Sequence, residues 1–412
     1  MIAKELQEEV YNCIKCGLCM NSCPIYKQLN VESVSPRGKV QLIKKIQEGK
    51  FEATEGFKNL LYTCLLCETC TVNCPSGVKI DRLFKSMRSE ILKKFKLPLY
   101  KQIMFNILSS DRLLPFCMFW GRTIGNPLMS LLPQKGKIGA IAFSKLPRLN
   151  AQPLLDQYPE TISAAKTARG RVLYFPGCAT NYLFENIGRS VIKVLNRLDV
   201  EVIIPKDQKC CSLPIFLSGA REMAIGNIKK NIAVFNSYAH VDAIIVDCAT
   251  CGAAFKEEYV HILGEMGEDT KEAQKVKNKV MDISQYLAKF DMKKYLHPLK
   301  GRVTYHDPCH LVRSQKIKDE PRALLKQIPG LEFAEMAGAD VCCGGGGTFQ
   351  MDHPDISVSI TKNKIQSIKD TGADTVASGC PGCRLQINGN LGNEKIKVVH
   401  PIELLAKAMG EV

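Results

Sequence analysis

The sequence predicts an α+β chain of several domains, with a mostly helical module at the N-terminus followed by two repeated α/β units, each built on a parallel sheet. Three observations carry this reading. Two tight cysteine runs fall within the first 75 residues, and a second, widely spaced cysteine pattern occurs twice in the remainder. Across that remainder, short β-branched runs alternate with amphipathic helical stretches, the pattern of parallel strands joined by crossover helices. The length of 412 residues suits two to four domains of roughly 100–200 residues. A composition of 45% hydrophobic and 24% charged residues excludes a disordered or collagen-like chain. The expected division is 1–97, a connecting segment 98–170, a first repeat 171–291 and a second repeat 301–408.

In the first module, Cys13, Cys16, Cys19 and Cys23 read C-x2-C-x2-C-x3-C-P, and Cys64, Cys67, Cys70 and Cys74 repeat it, with Pro24 and Pro75 in the same place. This run resembles the bacterial ferredoxin signature, in which three closely spaced thiolates hold one 4Fe-4S cube and the fourth reaches the other cluster. The expected ligand sets are therefore Cys13, Cys16, Cys19 and Cys74 for one cluster, and Cys64, Cys67, Cys70 and Cys23 for the second. Zinc competes, since C-x2-C pairs also make zinc sites. Apolar residues at helical spacing predict helices over 36–49 (Val40, Ile43, Ile46) and 80–95 (Ile80, Phe84, Met87, Ile91, Phe95).

The connecting segment is apolar over 103–132, but Asp111, Arg112 and Arg122 interrupt it well short of the roughly 18 uncharged residues a membrane span needs. It is expected to cover a domain or a partner subunit. The competing assignment is a peripheral membrane contact supported by Lys135, Lys137 and Lys145. Cys117, among Phe116, Met118, Phe119 and Trp120, is expected to be a buried small hydrophobe. The charged N-terminus carries no secretory signal, so a cytoplasmic location is expected, with contact at the inner face of the membrane as its variant.

The repeat is defined by Cys178, Cys210, Cys211, Cys248 and Cys251 in one copy and Cys309, Cys342, Cys343, Cys380 and Cys383 in the other. Cys309 lies 131 residues after Cys178, and Cys342, Cys380 and Cys383 lie 132 after Cys210, Cys248 and Cys251. Local context repeats as well, RVLYFPGC against RVTYHDPC. In the first copy the β-branched runs 172–175, 202–204 and 244–246 each precede a cysteine group, and 187–198 has helical apolar spacing. In parallel sheets, ligands sit beyond the carboxyl ends of the strands, so each copy is expected to gather five thiolates at one sheet edge. Five exceeds what a cube requires, which leaves a spare cysteine or a more open cluster. A vicinal disulfide competes, as does zinc in one copy.

Nineteen cysteines without an export signal point to metal ligation in a reducing compartment. The net charge of +15 would suit nucleic acid or anionic lipid. Four 4Fe-4S clusters on eighteen thiolates would offset roughly ten of those charges, so no nucleic-acid partner is expected. No nucleotide-binding glycine loop is present, and 344–347 does not match one, so no flavin or nicotinamide is expected on this chain. His306 and His310 flank Cys309, and their ordinary reading is structural.

From Cys13 to the HPIELL segment at 400–405, the pattern resembles the iron-sulfur subunits of glycolate oxidase and of anaerobic glycerol-3-phosphate dehydrogenase, and is similar to heterodisulfide reductase catalytic subunits. The resemblance implies a noncubane 4Fe-4S cluster on each set of five cysteines. It implies an electron-transfer subunit of a flavin-dependent 2-hydroxyacid dehydrogenase of glycolate or lactate type, inactive alone. Its partners would be a flavoprotein subunit and an acceptor that is a quinone, a disulfide or another redox protein. The alternatives are a reductase acting on a disulfide or quinone at a noncubane cluster, and the glycerol-3-phosphate subunit. One departure stands out: Ser212 follows Cys210 and Cys211 where the signature has glycine, whereas the second copy keeps Gly344 and extends it to Gly347. Any contact with an external acceptor is therefore expected at Cys309, Cys342, Cys343, Cys380 and Cys383, where side chains are absent.

Overall fold

The computed structural model describes residues 4–129, 131, 136–238, 240–392 and 394–411. Leu132 and Lys135 of the apolar and basic connection lie outside them. Both expected helices of the first module form, as Pro36–Gln47 and Ile80–Leu92. Ser35 caps the former, accepting from the Gly38 amide, with Pro36 at its first turn. Val40, Ile43, Leu83, Phe84, Met87 and Ile91 form a common core that continues into Leu173, Phe175 and Phe216 of the first repeat.

The first repeat holds a five-stranded sheet in the order β3-β5-β4-β6-β7: β3 (Thr161–Ile162), β4 (Gly170–Phe175), β5 (Val200–Ile203), β6 (Ala243–Val246) and β7 (Val280–Asp282). Only β3 runs antiparallel. The second repeat has the order β11-β10-β8-β9: β8 (Gly301–Tyr305), β9 (Leu331–Phe333), β10 (Thr375–Ala377) and β11 (Lys397–Val399), all parallel. Matched through the cysteine offsets, β5-β4-β6-β7 and β9-β8-β10-β11 are the same topology. The preceding hairpin, β1 (Lys137–Ile138) with β2 (Ile141–Ala142), packs near Gly389 of the second repeat.

Two features depart from the sequence-based division. The sheet of the first repeat begins at Thr161, ahead of residue 171, because an edge strand of two residues has no periodicity to read. The repeats also share one core, in which Val172, Tyr174 and Val191 pack with Val303, Tyr305, Leu405 and Met409.

The connecting segment is helical over Leu99–Ser109 and Leu113–Trp120. The first helix is pinned to the second repeat by Lys101, whose Nζ meets Asp352 at 2.6 Å. The second has no buried residue, so Cys117 is half-exposed and not the core residue expected. Its apolar neighbours Phe116, Phe119 and Trp120 face solvent. No helix among the described residues is long and apolar enough to cross a membrane.

Candidate metal centres

The two Pro-terminated runs interlock. Cys13, Cys16, Cys19 and Cys74 line one cavity with Arg37 and Ile80, and Cys23, Cys64, Cys67 and Cys70 line another with Lys39 and Phe84. Each fourth cysteine crosses because its proline turns the chain. Cys23 stands at the N-cap of helix Pro24–Leu29 with Pro24 at the first turn, and its sulfur accepts the Tyr26 amide at 3.5 Å. Cys16 is exposed, whereas Cys67 is buried.

In the repeats, Cys178 and Cys248 follow β4 and β6 directly, and Cys309 and Cys380 follow β8 and β10. All ten cysteines gather at the carboxyl ends of their sheets. Ser212 takes the left-handed conformation with φ +60°, as Gly344 does with φ +89°. The departure from glycine thus leaves the backbone unchanged. Its strain is offset by burial of the Ser212 hydroxyl, which accepts from Asn227 Nδ2 at 2.9 Å and donates to the Cys210 carbonyl at 3.3 Å.

Three of the four cysteine groups adjoin one another, from Cys67 of the first module to Cys178 of the first repeat. Cys67 and Cys342 pack in one small buried cluster, so the second repeat abuts the first module. Cys343 meets Cys342 and Cys383, and Cys383 meets Cys380. Cys380 then meets Cys248 across the boundary between repeats, where Thr250 Oγ1 also lies 3.5 Å from the Cys380 sulfur. Cys248 meets Cys251, Cys251 meets Cys211, and Cys210 meets both Cys211 and Cys178, the last at 3.8 Å.

These thiols stand in for the thiolates that a metal would bind, and their surroundings fit iron-sulfur ligation. Burial pushes Cys19 and Cys23 up to about 11, and burial followed by crowding from Cys64 and Cys67 raises Cys70 well above the ordinary thiol. Such crowded, desolvated sulfurs ionise together only around a cation. All nineteen cysteines are free of disulfides, including the adjacent pairs.

Residues 9–78 match the family described as 4Fe-4S dicluster domain, and residues 172–256 and 303–388 match the family described as Cysteine-rich domain. The chain is 31% identical to the probable glycolate oxidase iron-sulfur subunit of Bacillus subtilis, an alignment covering 98% of this chain and 94% of that protein. The chain belongs to this family of iron-sulfur oxidoreductase subunits. It is 27% identical to the glycolate oxidase iron-sulfur subunit of Escherichia coli (96% and 93% covered). It is 28% identical to one subunit of the dihydromethanophenazine:CoB--CoM heterodisulfide reductase of Methanosarcina acetivorans (98% and 94% covered). A solved structure of a hypothetical protein from Helicobacter pylori shares the fold, with TM-score 0.56 at 11% identity, covering all of this chain and 74% of that one. The chain is thus an iron-sulfur electron-transfer subunit of an oxidoreductase complex, made to work with partner subunits.

Within this iron-sulfur subunit, the glycine run of the second repeat is not the open face expected from its lack of side chains. Gly344 and Gly345 are buried. A Cβ at Gly344 would stand 2.6 Å from the Ser357 carbonyl, and one at Gly346 would stand 2.5 Å from Leu65 Cδ2 of the first module. Gly344 thus permits close packing on helix Pro354–Asp370, and Gly346 on the Cys64–Cys70 loop, where Leu65, Cys67, Cys342 and Phe349 form a small core, while Gly347 is exposed. A larger cavity stands beside the first repeat. It measures about 420 Å³ and has Cys178 and Cys210 in its lining, with Leu108, Leu114, Met118 and Phe119 of the connecting segment on another side and Lys206 and Lys209 beside them.

Buried cations were not foreseen from the sequence. Lys39 donates to the Thr63 carbonyl at 2.5 Å, and Arg88 to the Cys64 and Leu217 carbonyls at 2.9 and 2.7 Å. Arg313 donates to the Cys67 carbonyl at 3.2 Å, and Lys364 to Gly338 at 2.7 Å. All four stand beside the thiol groups of the first module or the second repeat; burial pushes Lys39, Arg88 and Lys364 down, and the neighbouring sulfurs, once ionised, act against it. The available signal was a lysine beside an apolar stripe, as with Lys39 next to Val40 or Lys364 next to Ile365.

Proposed function

We propose that this chain is the electron-transfer subunit of a flavin-dependent 2-hydroxyacid dehydrogenase of glycolate or lactate type, carrying electrons from a flavoprotein partner to a small acceptor. The observation that carries the reading is the run of adjoining thiol groups from Cys67 through the second repeat to the cavity at Cys178, with the site of Cys13, Cys16, Cys19 and Cys74 in the same first module. Bound on these thiolates, two cubane clusters in the first module and a noncubane 4Fe-4S cluster in each repeat supply one-electron transfer. The chain's own residues hold the four sites in sequence and desolvate the middle ones. Around Cys16, the exposed side chains of Tyr11, Ile14 and Leu18 offer the flavoprotein an apolar face, of the kind that marks protein contacts. At the other end, the cavity volume falls in the range of small-molecule sites. Its apolar walls, with Lys206, Lys209, Arg122, Asp111 and Asp156 among them, suit an acceptor with an apolar body and a polar head, of quinone type.

The isolated chain should be inert toward glycolate and lactate, because removing a hydride needs an organic cofactor that it lacks the loop to bind. Reconstituted with the flavoprotein that copurifies with it, it should transfer electrons from one of these substrates to a quinone analogue. Substrate-dependent dye reduction by the pure single chain would overturn the subunit reading, and a copurifying partner that oxidises only glycerol 3-phosphate would overturn the 2-hydroxyacid assignment.

A further inference from the structure

The two repeats place the same strand and the same cysteine in register, yet differ at the residue three positions before that cysteine. In the first copy it is Phe175, ahead of Cys178; in the second it is His306, ahead of Cys309. Phe175 packs edge-on against Phe235 and Phe255, with ring centroids 5.7 and 4.8 Å away, and has nothing to give a metal. His306 is 1% exposed.

Its Nδ1 lies 3.1 Å from the Ala339 carbonyl, which also receives the Asp307 amide at 3.0 Å and Lys364 Nζ at 3.2 Å. A carbonyl oxygen can only accept, so Nδ1 carries the ring proton and Nε2 is left with a bare lone pair. Nε2 is buried and has no hydrogen-bond partner among the described residues. A ring nitrogen of His306 and the sulfurs of Cys343 and Cys383 all lie within 4.8 Å of one another. An imidazole whose Nδ1–H is tied to a backbone carbonyl, leaving a buried, unpartnered Nε2 on a ring that stands beside two cysteine sulfurs, is the arrangement that metal-binding histidines adopt. A bare lone pair left unused in this interior would cost stability with nothing to offset it.

We propose that His306 Nε2 is a metal ligand of the second repeat, making that site a mixed cysteine–histidine centre while the first repeat remains all-cysteine. The inference rests on the reading that the second repeat holds an iron-sulfur cluster. Replacing or supplementing thiolate by neutral imidazole removes negative charge from around the iron, which raises the reduction potential. Phe175 cannot do this, so the two repeats would differ in potential although their cysteines match.

The test is pulsed EPR on the reduced full chain grown with 15N-histidine. The signal of the second repeat is assigned by its loss in Cys383→Ala. That signal should show the hyperfine coupling of a directly bonded 15N in the wild-type protein, so the measurement does not depend on any variant folding. In His306→Phe the coupling should vanish and the midpoint potential fall by at least ~60 mV, a tenfold change in the one-electron equilibrium. In His306→Gln, which keeps a polar side chain, the coupling should also vanish. A second-repeat signal without 15N coupling, or with coupling unchanged in His306→Phe, would overturn the ligand assignment and leave the cluster reading intact. Absence of any second-repeat signal, together with about 12 irons per chain, would overturn both.

Discussion

Lys85 holds three parts of the chain together, and its removal can be worked through in advance. Its ammonium meets Asp81 at 2.9 Å on its own helix, Glu68 at 3.4 Å in the second cysteine loop and Glu258 at 2.6 Å in the first repeat. Glu68 in turn accepts from Ser314 of the second repeat at 2.7 Å. Lys85, Asp81 and Glu258 are each less than a tenth exposed. Lys85→Met keeps the apolar stem and removes the charge, leaving carboxylates buried without their counter-charge, at a cost of about 3–5 kcal/mol. With a urea slope of about 3 kcal/mol/M, the unfolding midpoint of the cluster-loaded chain followed by circular dichroism should fall by about 1–1.7 M. Burial pushes the Asp81 carboxyl up, but Lys85 outweighs it and holds it below the ordinary carboxylate; burial pushes Lys85 down, but Asp81, Glu258 and Glu68 raise it well above the ordinary amine. The lowered carboxyl contributes above its unfolded value near ~3.9 and loses that contribution as pH falls through its folded value. The raised ammonium contributes fully below its unfolded value near ~10.4 and loses that contribution only as pH rises through its folded value. The gap between wild type and variant should therefore hold up to about pH 10 and narrow on acidification, because in the variant burial acts unopposed on the carboxyls and they take up protons more readily. Adding Glu258→Gln to Lys85→Met should recover part of the loss. A shift under about 0.3 M, or a double variant weaker than the single, would refute the role of the buried charge.

Other consequences are open to direct measurement. Anaerobically purified protein should bind about 16 irons per chain; about 12 with one zinc would make one repeat a structural metal site, and about 8 would leave the repeats without clusters. Cys23→Ala should damage the cluster of Cys64, Cys67 and Cys70 and spare the one at Cys13, so a spectroscopic loss confined to the latter would sink the crossed ligand sets. Gly344→Ser should cost about 1–3 kcal/mol in urea unfolding, because its Cβ would sit 2.6 Å from the Ser357 carbonyl, although the first repeat carries serine at the equivalent place. An unchanged midpoint would show that the loop can shift.

The parts of the fold that could be read from the sequence are those set by local spacing. Helix Pro36–Gln47 has its cap, its proline and its apolar stripe within one short stretch, and the strands that end at cysteines are marked by β-branched runs. The 131- and 132-residue offsets disclosed the duplicated topology because insertion on one side would have broken the register. What could not be read was which surfaces meet. Gly344 to Gly347 signals only absent side chains, and that absence serves equally for admitting a substrate or for admitting Leu65. The merger of the two repeats into one core, through Leu405 and Val191, leaves no local mark at all. Cys117 was misplaced for the same reason, since apolar neighbours suggest burial only if something covers them.

Once packing is known, the differences between the repeats sort by what each one faces. The second is enclosed between the first module and its twin, and there the sequence supplies glycines for close approach, Lys364 and Arg313 as buried positive charge, and His306 beside the thiols. The first faces a cavity, and there Phe175, Phe216, Phe235, Phe255 and Tyr259 pack around its sheet end while Ser212 keeps the backbone turn that Gly344 makes without a side chain. A cation in a water-poor interior favours the more negative state of whatever binds beside it far more than a cation in solvent does. Part of the +15 charge therefore lies inside the molecule, on Lys39, Arg88 and Lys364, at the sites that solvent cannot stabilise. The outward site needs less of this, since the cavity that would admit an acceptor also admits water to Cys178.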